Sequence, residues 1–256
     1  MGASPEELYN DLAASYHLIF EDWDESIVRQ AAVLGPLLER VTGQASPRIM
    51  DCACGIGTQA LGLAQRGHLL VGSDLSQMAI ERARTEAQTR GLEIPFYVAD
   101  MLNLGAVPES GFDAVLAADN ALPHLMTQAE LKQALAQIWA KLSESGVLVA
   151  TLRDYDVLRA TKPSVQPPAF YERDGAKRFV HQVWQWEGNT YVFHLYITVQ
   201  MDDGWNVKHF VSRYRALLRA DLNDALRSVG FNDVEWLSPE ATTFYQPIVV
   251  ARKARG

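Results

Sequence analysis

Apolar residues recur at helical spacing in the first part of the chain. They follow a three-to-four-residue period over residues 5–20, with Leu8 and Leu12 on the same side, and again over residues 24–42. This period places the apolar side chains on one face of a helix, where they can pack against a core. The pattern therefore predicts two helices at the start of the protein.

Short apolar runs and helical segments alternate between residues 48 and 152. The predicted strands cover residues 48–51, 68–74, 94–98, 112–117 and 147–152. Helices are predicted after the glycine turn that follows the first strand, over 76–90 with Ser76 as the N-cap, and over 128–142. Strands that alternate with helices at this spacing form a mostly parallel sheet with helices on both faces.

The pattern changes after residue 155. Three long alternating runs, at 177–187, 190–201 and 205–215, are separated by turn sequences such as Gly188-Asn189, and they predict an inserted antiparallel sheet. A helix at about 219–228 and two closing strands then return to the first pattern. No helix separates these closing strands, so we expect them to form an antiparallel pair at one edge of the main sheet.

The expected fold is Rossmann-like α/β, with a seven-stranded, mostly parallel sheet and an antiparallel final strand. N-terminal helices precede the sheet, and an antiparallel β lid is inserted into it. Residues 1–155 and 216–256 are predicted to form the Rossmann-like domain, in which residues 1–42 are a helical cap. Residues 156–215 are predicted to form the β-rich insert that covers the substrate.

The middle strand of the predicted insert has two different faces. Alternation places Tyr191, Phe193, Leu195, Ile197 and Val199 on one face, and His194, Tyr196, Thr198 and Gln200 on the other. We expect the first face to pack in the interior. The second face is either solvated or a wall of the substrate site, and both interpretations stay open because aromatic side chains such as Tyr196 are costly to leave in water.

The composition is that of a globular protein, and the net charge disfavours two classes of partner. Of the 256 residues, 48% are hydrophobic and 21% are charged, which excludes wholesale disorder, a coiled coil and a collagen-like chain. The net charge of −8 disfavours binding to nucleic acids and to anionic membranes. No apolar run approaches the about 20 residues of a membrane span, and the first residues lack a secretory signal pattern.

Two cysteines, Cys52 and Cys54, are separated by one residue. They are too few and too close to form a disulfide framework or a four-ligand zinc site. We therefore expect no metal site and a reducing, cytoplasmic environment. A homo-oligomer is compatible with the sequence, which does not set the oligomeric state.

Polar side chains follow five of the predicted strands. They are Asp51, Asp74, Asp100, Asp119 with Asn120, and Arg153 with Asp154. In parallel α/β sheets ligands bind beyond the carboxyl ends of the strands. We therefore expect these residues to surround a binding crevice.

The turn after the first strand fits a nucleotide-binding fingerprint. The segment from Gly55 to Ala60 reads G-x-G-x-x-A, and Asp74 lies 19 residues after Gly55. Glycines at these positions let the backbone approach a ligand closely, and a carboxylate at the end of the second strand can accept both hydroxyls of a ribose. NAD, FAD and S-adenosylmethionine satisfy this pattern equally.

Longer segments of the chain resemble a class I S-adenosylmethionine-dependent methyltransferase. The resemblance rests on DCACGIGT at 51–58, VGSDLS at 71–76, FDAVLAADNALPHL at 112–125 and LSESGVLVA at 142–150, together with the antiparallel end, and it covers essentially the whole chain. It implies S-adenosylmethionine as the cofactor. Ala53 stands where this family usually has its first glycine.

The resemblance also implies roles for individual residues. The cofactor-binding set is Asp51, Ala53, Gly55 and Gly57 for the methionine part, Asp74 with Leu75 for the ribose, Asp100 with Met101 for the adenine, and Tyr9 and Asn120. Asn120 and Ala121 would line the passage to the transferred methyl group.

Two further segments resemble a narrower branch, the glycine and glycine/sarcosine N-methyltransferases. TLRDYD at 151–156 is similar to their R-N-Y-D segment, with Asp154 in place of asparagine, and the β-rich insert and the closing FYQPI are similar as well. In those enzymes the arginine holds the substrate carboxylate and aromatic residues from the N-terminal helix lie over the cofactor. The predicted substrate-binding residues are Arg153, Tyr155, Trp184, Tyr196 and Tyr245, and the predicted catalytic residues are Asn120, Tyr16 and His124.

The expected reaction is methyl transfer to a small molecule, with the nitrogen of an amine or amino acid as the first choice. An amine attacks through its lone pair, whereas a hydroxyl or carbon nucleophile usually needs a general base, for which His124, His181 and His194 are available. The alternatives are C- or O-methylation of an aromatic or indole metabolite, an NAD-dependent oxidoreductase, and a cofactor-binding protein without catalysis.

Overall fold

A computed structural model describes residues 4–173 and 175–254. Its strands are β1 (Arg48–Asp51), β2 (Leu69–Asp74), β3 (Phe96–Val98), β4 (Phe112–Ala117), β5 (Leu142–Thr151), β6 (Val165–Arg173), β7 (Ala176–Glu187), β8 (Thr190–Met201), β9 (Gly204–Arg215), β10 (Phe231–Leu237) and β11 (Ile248–Lys253). The helices are α1 (Pro5–Leu12), α2 (Trp23–Thr42), α3 (Thr58–Gln65), α4 (Gln77–Thr89), α5 (Gln128–Lys141), α6 (Tyr155–Thr161), α7 (Arg219–Val229) and α8 (Pro239–Thr242).

The larger sheet has seven strands in the order β10-β11-β5-β4-β1-β2-β3. Strands β1 to β5 pair in parallel, and β11 is antiparallel both to β5 and to β10. The predicted Rossmann-like fold class, with its antiparallel final strand and the edge pair of closing strands, is confirmed. This order brings the carboxyl ends of β1, β2 and β4 together at one edge of the sheet.

The helices begin and end where the sequence supplies caps. Ser4 and Thr127 each form a capping box with the glutamate three residues later, at the starts of α1 and α5. Ser76 caps α4 by accepting a hydrogen bond from the backbone of Ala79, as the sequence predicts. Gly43 ends α2 in the left-handed conformation.

The first predicted helix, residues 5–20, is divided in the structure. Helix α1 ends at Leu12, and a 3-10 helix follows at Tyr16–Ile19. The second sheet holds this segment from the other side, because the Lys208 ammonium donates to Ser15 Oγ at 2.7 Å and the Tyr171 hydroxyl donates to the Ile19 carbonyl at 3.2 Å. Tertiary contacts thus override a continuous helical period.

The second sheet is antiparallel, with the strand order β6-β7-β8-β9. The sequence predicts only the last three of these strands. Strand β6 escapes prediction because it contains Pro167 and Pro168, which discourage a strand assignment. It lies at the sheet edge, and its register shifts between Gln166 and Ala169, where the prolines cannot donate hydrogen bonds.

The two sheets share one hydrophobic core. Tyr191 and Phe193 on β8 belong to the same buried cluster as Ala150 on β5 and Tyr155 on α6. The domain boundaries at residues 155 and 216 stay a prediction, since a shared core does not define them. No helix in the described part of the chain has the length and apolarity of a membrane span.

Candidate functional site

A cavity of about 380 Å³ lies beyond the carboxyl ends of β1, β2, β3 and β4. It brings together the following residues that the sequence singles out: Tyr9, Tyr16, Ala53, Gly55, Asp74, Leu75, Asp100, Met101 and His124. The topology of the sheet accounts for this assembly, because parallel strands deliver their C-terminal loops to one edge. We call this space the larger cavity.

The glycine turn between β1 and α3 forms one wall of the larger cavity. Gly55 has a φ of 53° and lines the cavity, and a Cβ placed there meets no atom within 4 Å. A side chain at this position would therefore project into open space. Gly57 does not line the cavity; with a φ of 97° it caps α3, and a Cβ there would lie 3.2 Å from Leu61. Gly57 thus shapes the turn, while Gly55 allows close approach to the backbone.

Asp74 ends β2 with a buried carboxylate that points at this turn. Its Oδ2 accepts a hydrogen bond from the Gly55 backbone amide at 2.9 Å, and its Oδ1 accepts one from the Ser76 amide at 2.9 Å. Burial raises the pKa of Asp74, and these two amides act in the opposite direction. An ionised carboxylate has further lone pairs, so Asp74 can still accept hydrogen bonds from a ligand in the cavity.

Asp51 is fully buried at the end of β1 and lies behind the cavity wall. Its Oδ1 accepts a long hydrogen bond of 3.4 Å from the Ala53 amide, and its Oδ2 has no partner among the described residues. Burial raises the pKa of Asp51 to about 8. The side chain is consequently mostly neutral at pH 7.

A second cavity of about 170 Å³ adjoins the first. Both cavities are lined by Tyr9, Tyr16 and Asp119. Asn120, Arg153 and Tyr245 of the predicted site also line this smaller cavity, together with apolar residues of α1 and β8. The three shared residues mark the junction of two adjacent binding spaces.

Asn120 is nearly fully buried at the end of β4. Its Oδ1 accepts hydrogen bonds from the Arg153 amide at 3.2 Å and from the Tyr155 hydroxyl at 3.0 Å. Its Nδ2 is buried without a partner among the described residues. Tyr155 itself lines neither cavity, so its hydroxyl orients Asn120 from behind.

Arg153 follows β5 and lines the smaller cavity. Its guanidinium donates to the Tyr191 hydroxyl at 2.8 Å and to Gln182 Oε1 at 3.2 Å, and it lies 4.8 Å from the centre of the Trp184 ring. Within the described ranges it forms no ion pair. Burial lowers the pKa of Arg153, but the neighbouring tyrosine hydroxyls raise it by a larger amount. The pKa therefore lies above its ordinary value, and the guanidinium stays a cation.

His124 contacts Tyr9 at the rim of the larger cavity. The Tyr9 hydroxyl lies 3.0 Å from His124 Nε2, and the His124 ring packs 4.2 Å from the Tyr214 ring. Burial, assisted by the nearby Arg153 cation, lowers the pKa of His124 to about 3. A neutral imidazole with this pKa orients Tyr9 well but is a weak base.

Tyr196 lies elsewhere, contrary to the prediction that it binds substrate. It is on the outer face of the second sheet, stacked between His181 at 4.8 Å and His209 at 4.4 Å, and it lines neither cavity. The alternation of residues along a strand shows which side chains share a face of the second sheet. It does not show which of the two faces lies against the cavities. The inner face is the one that carries Tyr191 and Phe193, and it is this face that approaches α1. His181 and His194, on the outer face, are likewise remote from the site.

Some residues of the site escape the sequence analysis. Asp119 is noted there only as one of several polar strand ends, although it lines both cavities. Gln59 lies inside the glycine fingerprint and donates to Asp119 at 2.9 Å. Gln182 and Tyr214 come from the insert, and no local signal marks them, because only the packing of the second sheet brings them to Arg153.

Residues 49–146 match a protein family described as Methyltransferase domain. This segment contains β1 to β4, the glycine turn and most of the residues that line the larger cavity. The match identifies residues 49–146 as a methyltransferase domain. A match to a methyltransferase domain accords with the predicted choice of S-adenosylmethionine over NAD and FAD.

Curated relatives of this methyltransferase domain include N-methyltransferases. The chain is 31% identical over 110 residues to a glycine/sarcosine N-methyltransferase of Parasynechococcus marenigrum, which covers 43% of this chain and 39% of the relative. It is 29% identical over 170 residues to the glycine N-methyltransferase of Oryctolagus cuniculus, which covers 60% of this chain and 57% of the relative. The alignments thus span about half the length of the curated relatives.

Solved structures extend the likeness of the methyltransferase fold to the whole chain. The sugar N-methyltransferase KedS8 from Streptoalloteichus superposes with a TM-score of 0.76 at 18% identity, over 99% of this chain and 96% of that one. At this identity the likeness concerns the fold. It includes the second sheet as well as the cofactor domain.

Proposed function

We propose that this protein transfers a methyl group from S-adenosylmethionine to the nitrogen of a small, carboxylate-bearing amine, such as glycine, sarcosine or a related amino acid. The observation that carries the proposal is Arg153, a cation that forms no ion pair with any described residue and that lines the smaller cavity, next to the larger one. An anionic partner stabilises a guanidinium that is withdrawn from bulk water. The planar N–H donors of the guanidinium also match the geometry of a carboxylate.

The residues of the larger cavity suit the chemistry of S-adenosylmethionine. The open space at Gly55 allows the cofactor to lie against the backbone, and the spare acceptor capacity of Asp74 suits the two ribose hydroxyls. Leu75, Met101 and Leu102 supply apolar surface for the adenine. When bound, S-adenosylmethionine supplies a methyl group on a positively charged sulfur, which a neutral nitrogen can attack through its lone pair.

The chain's own residues mainly orient the acceptor and exclude water. Arg153 would hold the carboxylate of the acceptor. Tyr191 and Gln182 use only two of its five N–H donors, so the others are left for a ligand. Asn120, fixed by Tyr155 and by the Arg153 backbone, would present its unpartnered Nδ2 amide. Tyr9 and Tyr16 stand at the junction of the cavities and would align the two ligands.

Other predicted residues take supporting roles in this proposal. His124 would position the Tyr9 hydroxyl rather than act as a base, in accord with its pKa of about 3. Trp184 would support Arg153 from below, and Tyr245, which is 56% exposed, would lie at the mouth of the smaller cavity. A cytoplasmic location remains our prediction for the protein.

The proposal is tested by measuring transfer of label from methyl-labelled S-adenosylmethionine to a panel of acceptors. The panel contains amino acids, matched amines without a carboxylate, an amino sugar, a phenol and an indole. We expect the amino acids to be methylated most efficiently. Preferred methylation of the amino sugar, the phenol or the indole would contradict the proposed acceptor while leaving the methyltransferase domain in place.

A further inference from the structure

Asp119 occupies a special position between the two cavities. Among the residues that the structure describes, Tyr9, Tyr16 and Asp119 line both cavities, and Asp119 is the carboxylate of this set. Asp119 follows directly after Ala118, at the carboxyl end of β4. A group in this place can contact a ligand in the smaller cavity at the point where that ligand meets the cofactor.

The backbone holds Asp119 in an unfavourable conformation. Its φ is 53°, and that of the following Asn120 is 68°, so two successive non-glycine residues are left-handed. Hydrogen bonds from both amides to Thr151, at 2.9 Å to the side chain and 3.0 Å to the carbonyl, fix this geometry. Such strain persists where the surrounding structure enforces it, and it is frequent at binding sites.

The Asp119 carboxylate has an unused oxygen. Its Oδ2 accepts a hydrogen bond from Gln59 Nε2 at 2.9 Å. Its Oδ1 is buried and has no partner in the part of the chain that the structure describes. Buried polar atoms normally have a hydrogen-bond partner, so this oxygen points to a ligand group that donates.

We infer that Asp119 binds the ammonium group of the acceptor and removes one of its protons, an inference that rests on the proposed function. Arg153 and Asp119 both line the smaller cavity and carry opposite charges. Together they complement a zwitterion, with the guanidinium facing the carboxylate and Asp119 facing the ammonium group. The expected acceptor class narrows accordingly to α-amino acids with a primary or secondary amine.

The proton transfer prepares the nitrogen for attack. An N–H bond of the ammonium group breaks, an O–H bond forms on an Asp119 carboxylate oxygen, and the electron pair of the N–H bond remains on nitrogen as its lone pair. The Asp119 proton later leaves to solvent and restores the carboxylate. Deprotonation precedes methyl transfer, because an ammonium nitrogen has no lone pair.

The electrostatic surroundings of Asp119 suit this role. Burial raises its pKa to about 6, while the Gln59 hydrogen bond and the Arg153 cation lower it. The titratable groups that face it are Arg153 after β5, Asp51 at the end of β1 and Tyr16 in the N-terminal segment. Asp119 is thus ionised at pH 7, yet it is a stronger base than an exposed aspartate.

The substitution Asp119→Asn tests the inference with little change of shape. Asparagine tolerates the left-handed conformation, and its carbonyl can still accept from Gln59. The probes are ethylamine, in which a methyl group replaces the carboxylate of glycine, and propionate, in which a methyl group replaces the ammonium group. Binding is measured to the complex of the protein with S-adenosylhomocysteine, the demethylated form of the cofactor. We expect Asp119→Asn to weaken the binding of ethylamine to this complex by about 10- to 100-fold. The binding of propionate should be nearly unchanged.

A control and a pH profile complete the experiment. Asp113→Asn, at the other end of β4, should alter neither affinity. With glycine as acceptor, kcat/KM of the unsubstituted protein should fall below a pH of about 6, and Asp119→Asn should lack this inflection. Ethylamine binding that is absent from both proteins, or equal in both, overturns the role of Asp119. Propionate binding that the substitution Arg153→Lys leaves unchanged would instead overturn the proposed function.

Discussion

At the scale of single residues, Asp74 links the glycine turn to the end of β2. Its two carboxylate oxygens accept hydrogen bonds from the amides of Gly55 and Ser76. We expect Asp74→Ala to weaken binding of S-adenosylmethionine by about 2 to 4 kcal/mol, or about 30- to 900-fold, through loss of charge-assisted hydrogen bonds to the ribose. Calorimetry on the folded variant measures this loss, and unchanged affinity would remove Asp74 from the cofactor site.

Asp51 gives the cofactor-free protein a pH-dependent stability. Burial raises its pKa to about 8, above the value of about 4 in an unfolded chain. The native state therefore binds more protons than the unfolded state between these two pH values, and the free energy of unfolding falls as pH rises through this range. Urea unfolding at pH 5 and pH 8 should show the fall, and Asp51→Asn should reduce it. An equal fall in the variant would mean that other groups cause it.

The sequence predicts residues whose roles follow from backbone motifs. Gly55, Gly57 and Asp74 are found from spacing, because a strand, a tight turn and a strand-end carboxylate occur in fixed order. Asp119 and Tyr196 are different. The importance of Asp119 depends on the junction of two cavities, and the exclusion of Tyr196 depends on which face of the second sheet approaches α1. Both features depend on how distant parts of the chain pack together, so the residues around Asp119 and Tyr196 do not predict them.

At the scale of elements, the second sheet fixes the N-terminal segment that closes the site. Arg178 on β7 donates to the Phe20 carbonyl at 2.6 Å, and Lys208 on β9 donates to Ser15 Oγ. The segment between these anchors carries Tyr16, which lines both cavities. The second sheet thus acts on the site through the position of this segment as well as through its own side chains.

We expect Arg178→Met to raise KM for the acceptor about fivefold, because the segment carrying Tyr16 loses the hydrogen bonds from Arg178 to the Phe20 and Glu21 carbonyls, which together contribute about 1 kcal/mol. Steady-state kinetics at saturating cofactor measure the change. The matched control is Arg213→Met, which breaks an ion pair with Glu187 on the outer face of the same sheet. Equal effects of the two substitutions would show that general weakening of the sheet is responsible.

Strands are predictable where alternation is regular, and β7, β8 and β9 follow their predicted limits closely. Strand β6 is not predicted, because its two prolines oppose a strand in any interpretation of the local sequence. Pairing with β7 nevertheless fixes it at the edge, where missing N–H donors can be tolerated. The break between α1 and Tyr16 has the same origin, since contacts made far along the chain decide it.

At the scale of the whole molecule, two cavities meet between the main sheet, the N-terminal segment and the second sheet. The larger one lies at the strand ends of the methyltransferase domain, and the smaller one contains the cation of Arg153. Because the overall charge is −8, a free carboxylate is not attracted by the molecule as a whole. Selection of an anionic acceptor would depend on the local field of Arg153.

We propose above all that Arg153 selects a carboxylate-bearing amine as methyl acceptor. The most direct test compares kcat/KM for glycine and for ethylamine in the unsubstituted protein and in Arg153→Lys, at saturating S-adenosylmethionine. We expect the substitution to lower kcat/KM for glycine by about 30-fold to several thousandfold, which corresponds to about 2 to 5 kcal/mol, because lysine cannot form the planar two-point contact. We expect almost no change in kcat/KM for ethylamine or in the affinity for the cofactor. Equal losses for glycine and ethylamine would contradict the claim and leave Arg153 with a structural role.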